Sequence, residues 1–326
     1  MRVSWLIPFH NAKPWLREAV DSVLSECTDD DEVILVDDGS NDAGAKVLPS
    51  DSRIKLIRQE WGGIVSALER GRLACKGEYI ARLDADDIVL PGRIEAQLTA
   101  LNSDINLGLI GGKAKLISHL DANNQGMAIY VDWVNRQLDP LPQRLVESPL
   151  FHPAVTMRAT AINNIGGYRS GAFPEDYDLW LRFVEAGYQI RNLDREVVSI
   201  RDHKGRLTRT DNRYSKASFT HLKLQHMDRY IAPTPRRIAI MGAGKGARPW
   251  IRWARSAGHE LSVIMDIKPG GVRGSTPVVA VDELAHAELD LLIVTVGARG
   301  VRDQIRSQIH RLRPDLIEGK GWFAVA

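Results

Sequence analysis

The chain has 326 residues, 44% of them hydrophobic, with a formal net charge of +2 and two cysteines. That length and apolar content can bury a substantial core and favour two domains over one, while a charge so near zero argues against a protein whose main task is coating nucleic acid. Cys27 and Cys75 have no metal-binding spacing and make no disulfide framework, which points to a reducing, cytoplasmic setting, and neither a signal-peptide pattern nor a spanning apolar run is present.

Ser4–Phe9 reads as a short buried strand, with Asn11 and Pro14 as the cap and early proline of a helix whose apolar face is Leu16, Ala19, Val20, Val23 and Leu24. Glu32–Val36 is a continuous apolar run of the kind a parallel sheet covers on both faces. It delivers Asp37, Asp38, Gly39 and Ser40 to the carboxyl edge, where open α/β sheets bind ligands. A third strand, Ile54–Ile57, leads through Gly62-Gly63 into a helix from Ile64 to Ala74, and a fourth ends in Asp84-Ala85-Asp86-Asp87. Two acid clusters therefore share one sheet edge. Carboxylates seldom pack against a core unless paired or coordinated. Asp84 and Asp86 are spaced to share one hard divalent ion with a phosphate-bearing ligand; the plainer reading is a solvated turn ahead of the helix at Pro91.

Further along, His152-Pro153 precedes a strand at Ala154–Arg158, Gly166-Gly167 makes a turn, and Glu175-Asp176 stands at the start of a helix anchored by Leu179, Trp180, Phe183 and Val184. A carboxylate so placed can take up a proton as a general base. Otherwise the two acids serve only the helix dipole, worth about 0.3–1 kcal/mol each.

Ile7-Pro8-Phe9-His10-Asn11, Val36-Asp37-Asp38-Gly39-Ser40, Leu83-Asp84-Ala85-Asp86-Asp87, Pro174-Glu175-Asp176-Tyr177-Asp178, and Arg201-Asp202-His203 followed by Leu207-Thr208-Arg209 occur in the order seen in family 2 glycosyltransferases, which the first two thirds of the chain resembles. The resemblance implies the GT-A fold, an α/β nucleotide-sugar-binding fold with a mostly parallel central sheet. It implies that Pro8, Asp37 and Asp38 hold the base and ribose of a nucleotide and that Asp84 contacts the ribose. Asp86 would bind Mn2+ or Mg2+ with His203 completing the shell or touching the diphosphate, and Asp176 would be the base of an inverting, single-displacement transfer. Glu175 and Arg209 are secondary candidates, Arg209 as an anion contact near His203. Thr208 stands where such enzymes often carry Ser and keeps the hydroxyl.

Residues 1–231 are thus expected to form one domain, 232–236 a Pro-containing linker, and 237–326 a second, Rossmann-like domain. The second opens with a strand at Arg237–Met241, a turn at Gly242-Ala243-Gly244-Lys245-Gly246-Ala247, a helix marked by Trp250, Ile251 and Ala254, and a strand at Leu261–Met265 that delivers Asp266. Gly242, Gly244, Ala247 and Asp266 match the dinucleotide fingerprint in its strand-turn-helix setting, a second candidate nucleotide site; the same glycines equally serve close helix–strand packing. Leu289–Val296 adds a strand and Val301–Leu312 a final helix. The expected partners are a nucleoside diphosphate sugar, UDP-linked by preference, and a glycan or lipid-linked acceptor, with the Arg-rich stretch 201–213 able to meet a phosphate-bearing acceptor or an anionic membrane surface. The competing class is a non-catalytic regulator that binds a nucleotide sugar or NAD, which retention of both Asp86 and Asp176 disfavours.

Overall fold

Val3–Phe9 forms β1 with every residue buried, the pattern of a strand covered on both faces. There follow α1 (Leu16–Leu24), β2 (Glu32–Asp38), β3 (Ile54–Gln59), α2 (Ile64–Ala74), β4 (Tyr79–Arg82), β5 (Ile88–Val89), α3 (Arg93–Ser103), β6 (Leu107–Ser118), α4 (Gly126–Asn135), β7 (Thr156–Arg158), α5 (Ala159–Asn164), α6 (Glu175–Glu185), β8 (Gln189–Asp202) and α7 (Leu207–Thr210). The computed structural model describes residues 2–118, 125–298 and 300–326. They divide into two compact units, Met1–Pro140 with Leu150–Ser215, and Leu141–Pro149 with Lys216–Ala326.

The sheet of the first unit runs β3-β2-β1-β4-β7-β6-β8-β5. The β3, β2, β1 and β4 strands are mutually parallel, as are β6 and β8, whereas β7 is antiparallel to both its neighbours and β5 to β8. Because β1 to β4 point the same way, the loops after Phe9, Asp38, Gln59 and Arg82 emerge together at one edge. Sequence periodicity places α2 to the residue and β1 and β2 to within one or two. It misplaces the first cap. The α1 helix begins at Leu16 behind Trp15, and Asn11 instead takes a left-handed φ of 52° while its side-chain oxygen accepts from Asn41 N at 2.9 Å. Asn tolerates that conformation better than most residues, which suits it to tie two loops together.

One buried polar cluster fixes the strand edge under the site. Arg93, on α3, is fully buried; its Nη1 donates to Pro153 O at 2.7 Å and its Nη2 to Arg82 O at 2.9 Å and Val155 O at 3.0 Å. Gln97, one turn on, donates to Ala154 O at 2.7 Å and accepts from the Thr156 hydroxyl at 2.6 Å. The guanidinium also lies over the Trp5 ring, 5.0 Å from its centroid. Backbone carbonyls at the end of the β4–β7 pair are thus satisfied from a helix, Val155 O also accepting from Arg82 N at 2.9 Å, and burial draws the Arg93 pKa down to about 9.

In the second unit, α8 (Lys216–His226) precedes β9 (Arg237–Met241), α9 (Arg248–Ser256), β10 (Glu260–Met265), β11 (Val272–Arg273), β12 (Thr276–Val279), β13 (Leu291–Val294), α10 (Arg302–Leu312) and β14 (Trp322–Ala324). The sheet order is β11-β12-β10-β9-β13-β14, parallel from β12 to β14. Counting parallel strands in chain order gives 3-2-1-4-5, the Rossmann arrangement. The α8 helix belongs to this unit, so the sequence-based boundary at 231–237 falls inside it. Lys223 on α8 is buried, and its Nζ donates to Val146 O at 2.8 Å and Val325 O at 3.2 Å.

Candidate active site

The loops at the carboxyl edge of β1 to β4 enclose, with the start of α6 and the segment after β8, a cavity of about 590 Å³ in the first unit. Its lining includes Pro8, Asp38, Arg82, Asp84, Asp86, Glu175, Asp176 and His203. Residues more than a hundred positions apart are brought together by the return of β8 alongside β5, which pairs Ile88 with Ser199 directly beside the acids.

Asp84, Asp86 and Asp87 each offer an oxygen within 4.8 Å of the others. Asp84 is paired with Arg82, whose charge, against the opposing effect of burial, holds its pKa down at about 2. Asp86 Oδ2 lies 2.8 Å from His203 Nε2, and the His203 ring stacks on Trp15 with centroids 4.9 Å apart. Asp87 is fully buried. Its Oδ1 accepts from Arg201 N at 2.8 Å, and Oδ2 finds no partner among the described residues. Burial and the neighbouring acids push its pKa well up. Hard carboxylate oxygens with one imidazole nitrogen at hand are a donor set that fits Mn2+ or Mg2+.

At the opposite end of the motif series, Pro174 precedes α6 and Glu175 and Asp176 are its first two residues. Burial, reinforced by the charge of Glu175, raises Asp176 to about 8. Glu175 is buried too, and the Tyr214 hydroxyl lies 2.9 Å from each of its oxygens. Asp178 is excluded as an alternative base: it does not line the cavity, is buried, and is held by Arg182 Nε at 2.7 Å and Arg169 Nη2 at 2.5 Å. The same Arg182 donates to Ile165 O and Gly167 O, pinning the Gly166-Gly167 turn, where both glycines have φ near +70 to +80°, against the helix.

Not every expected residue meets the cavity. Asp38 lines it, but its carboxylate also accepts from Gln59 Nε2, Gly62 N and Gly63 N at 2.7–2.9 Å, which secures the turn before α2. Asp37 lies outside the lining and accepts from Ser40 N. Arg209 is also outside it, with its guanidinium engaged by Asp202 at 2.8–3.0 Å. The cations that do face the cavity are Arg82, Arg206 and Arg213. Arg206 stands 3.8 Å from Asp84 and 3.7 Å from Asp87. These, with Tyr214, carry no signal in sequence beyond their motif neighbours; only the local Arg excess of 201–213 marks the segment. His152 lines the cavity as a buried framework residue, 2.8 Å from the Tyr168 hydroxyl, and burial keeps it neutral by driving its pKa well down.

Residues 4–160 match the family model described as Glycosyl transferase family 2. The first half of the chain carries that family's domain. EpsE of Bacillus subtilis, which carries a provisional glycosyltransferase name, is 29% identical to this protein over 229 residues, 66% of this chain and 78% of EpsE. Among solved structures, S. aureus TarS 1–349 in complex with UDP-GlcNAc superposes with a TM-score of 0.53 at 14% identity, over 70% of this chain and 67% of that one. A mannosyltransferase of Pyrobaculum calidifontis, in complex with GDP-Man and Mn2+, does so with a TM-score of 0.50 at 15% identity, over 78% and 68%. The fold is therefore GT-A and the protein a glycosyltransferase. No helix among the described residues is long and apolar enough to cross a membrane.

In the second unit the glycine turn has two different demands. Gly242 has φ +101°, and a Cβ there would meet Thr295 Oγ1 at 2.8 Å; Gly244 has φ −70°, and a Cβ there would meet nothing within 4 Å. Ala247 is buried, and Asp266 accepts from Ala243 N at 2.7 Å and Lys268 N at 3.0 Å, tying the end of β10 to the turn.

Proposed function

We propose that this enzyme is an inverting glycosyltransferase that moves a sugar from a nucleoside diphosphate sugar to a hydroxyl of a glycan or lipid-linked acceptor, with Asp176 as general base. The observation that carries this reading is the presence, in one cavity, of an acid cluster at the end of β4 and a second buried carboxylate at the start of α6 whose pKa is raised to about 8. Two carboxyl groups pushed in opposite directions, Asp84 down and Asp176 up, divide the roles: one stays an anion to hold a cation and the other exchanges a proton near neutrality.

Asp84 and Asp86, with His203, would hold a Mn2+ or Mg2+ ion, which when bound supplies positive charge to a departing diphosphate. Arg82 and Arg206 stand beside the same acids and add fixed positive charge without reorganisation. Asp176 accepts the proton of the attacking hydroxyl, and Glu175, engaged by Tyr214, keeps the start of α6 in place. Pro8 and Asp38 border the end of the cavity proposed for the nucleoside. The test is a transfer and donor-hydrolysis screen of the full chain across nucleotide sugars with Mn2+, with the anomeric configuration of the product read by NMR. Inversion with one or a few donors supports the proposal, and turnover with retention overturns the single-displacement step.

A further inference from the structure

We propose that Trp61 is the stacking platform for the donor's nucleobase, an assignment that rests on the nucleotide-sugar donor proposed above. Among the described residues it is the one tryptophan left largely exposed, at 72%. It nonetheless lines the cavity that holds Asp84 and Asp176. An aromatic face left in water beside a binding cavity is surface that a flat ligand can cover, and a base offers such a face whatever its identity.

The backbone under this ring is held from two sides. Gly62 N and Gly63 N donate to the Asp38 carboxylate at 2.8 and 2.9 Å. Gly39, in a left-handed φ of +72°, packs so closely that a Cβ on it would lie 2.7 Å from Trp61 N. Trp61 is therefore a ring on a fixed base. His10, another cavity-lining ring, is tied to the same point through Nδ1 and Asp38 O at 2.7 Å.

Strand order decides which part of the donor reaches it. The acids follow β4, and Trp61 follows β3, at the other end of the run β3-β2-β1-β4. Neighbouring strands lie about 4.8 Å apart, so the two ends are separated by roughly 14 Å. Asp176 feels the charge of Arg82 on β4, which puts the reacting sugar and the acceptor hydroxyl at the β4 side. With the diphosphate at the acids and the sugar beyond them, the nucleoside extends past Pro8 toward Asp38, and its base arrives over Trp61.

Calorimetry on the full chain in Mn2+ tests this with UDP, GDP, CDP, dTDP and ADP, and with pyrophosphate as the probe that lacks a base. Trp61→Ala should weaken the nucleoside diphosphate that the native protein binds by roughly 10-fold, within the range for losing one aromatic stack, and leave pyrophosphate affinity unchanged. Trp61→Phe should restore most of the loss. Unchanged nucleotide affinity in Trp61→Ala overturns the assignment, and a raised KM for acceptor alone would make the ring an acceptor contact instead. Equal losses for nucleotide and pyrophosphate also overturn it, since the effect would not involve the base. If the native chain binds none of the nucleotides, the donor reading itself fails and the platform falls with it.

Discussion

His203 Nε2 lies 2.8 Å from Asp86 Oδ2, joining the end of β8 to the turn after β4 across 117 positions of sequence. Such a pair can hold itself together as a hydrogen bond or part to share a cation. Turnover should vanish with a chelator and return with Mn2+ or Mg2+. Asp86→Asn should weaken donor binding in Mn2+ while leaving the thermal transition close to native. Transfer that persists in chelator would falsify the metal role.

Replacing the proposed base should separate binding from chemistry. Asp176→Asn is expected to bind nucleoside diphosphate with near-native affinity and to lose transfer by about 10²–10⁴-fold, the range for general-base removal. In the native enzyme, kcat/KM should climb with pH and level off above about 8 as Asp176 loses its proton. A native transfer rate in the variant would sink the assignment, and the structure offers no refuge in Asp178, already engaged by two arginines.

The same carboxyl should leave a mark on stability. Its folded pKa, about 8, lies above the ordinary value of 3.8, so between those limits the folded state holds a proton that the unfolded state has released. Stability from this group is complete below pH 4 and is lost as pH rises toward 8, by roughly 1.4 kcal/mol per pH unit at most. Asp176→Asn cannot ionise, so its melting temperature should gain on the native protein from pH 5 to 8 and the gap should then stay constant. A gap that does not change with pH would show that Asp176 is ionised throughout.

Two glycines of one turn should answer differently to the same methyl group. Gly242→Ala forces a strained φ and a contact with Thr295, and should lower stability by about 1–3 kcal/mol. Gly244→Ala meets neither obstacle and should be neutral or stabilising by up to about 1 kcal/mol. Denaturant titration of the two variants decides it. The expectation that this turn accepts a nucleotide is then read cleanly at Gly244→Val by NAD titration, since loss of binding there would not be loss of fold.

Most of the edge of the first sheet was legible in sequence, because the run from β1 to β4 is made of local strand-helix-strand units and each acid cluster directly follows an apolar strand. The start of α6 was legible from Pro174 and the acids that open a run of apolar residues at helical spacing. What escaped is non-local. Arg82 directly precedes the Leu83–Asp87 motif, but its pairing with Asp84 depends on the turn after β4 folding back. Arg206 and Arg209 look alike in an Arg-rich stretch; Asp202 takes the second, and the first is left facing the acids. Asp37 and Asp38 are adjacent, yet strand alternation sends only one to the cavity. The antiparallel return of β7 and the short β14 have no sequence punctuation strong enough to announce them.

The segment Leu141–Pro149 belongs with the second unit although first-unit residues flank it on both sides. During synthesis it emerges long before Lys223, whose Nζ donates to Val146 O, and Val325, whose carbonyl accepts from the same Nζ. Those bonds must wait while the remainder of the first unit is made, so residues near Val325 complete a structure begun near the middle of the chain. A stop codon near Pro233 would strand that segment as well as remove the Rossmann-like sheet. The two units could not be traded between proteins by a single genetic crossover, because each is built from two stretches of the chain.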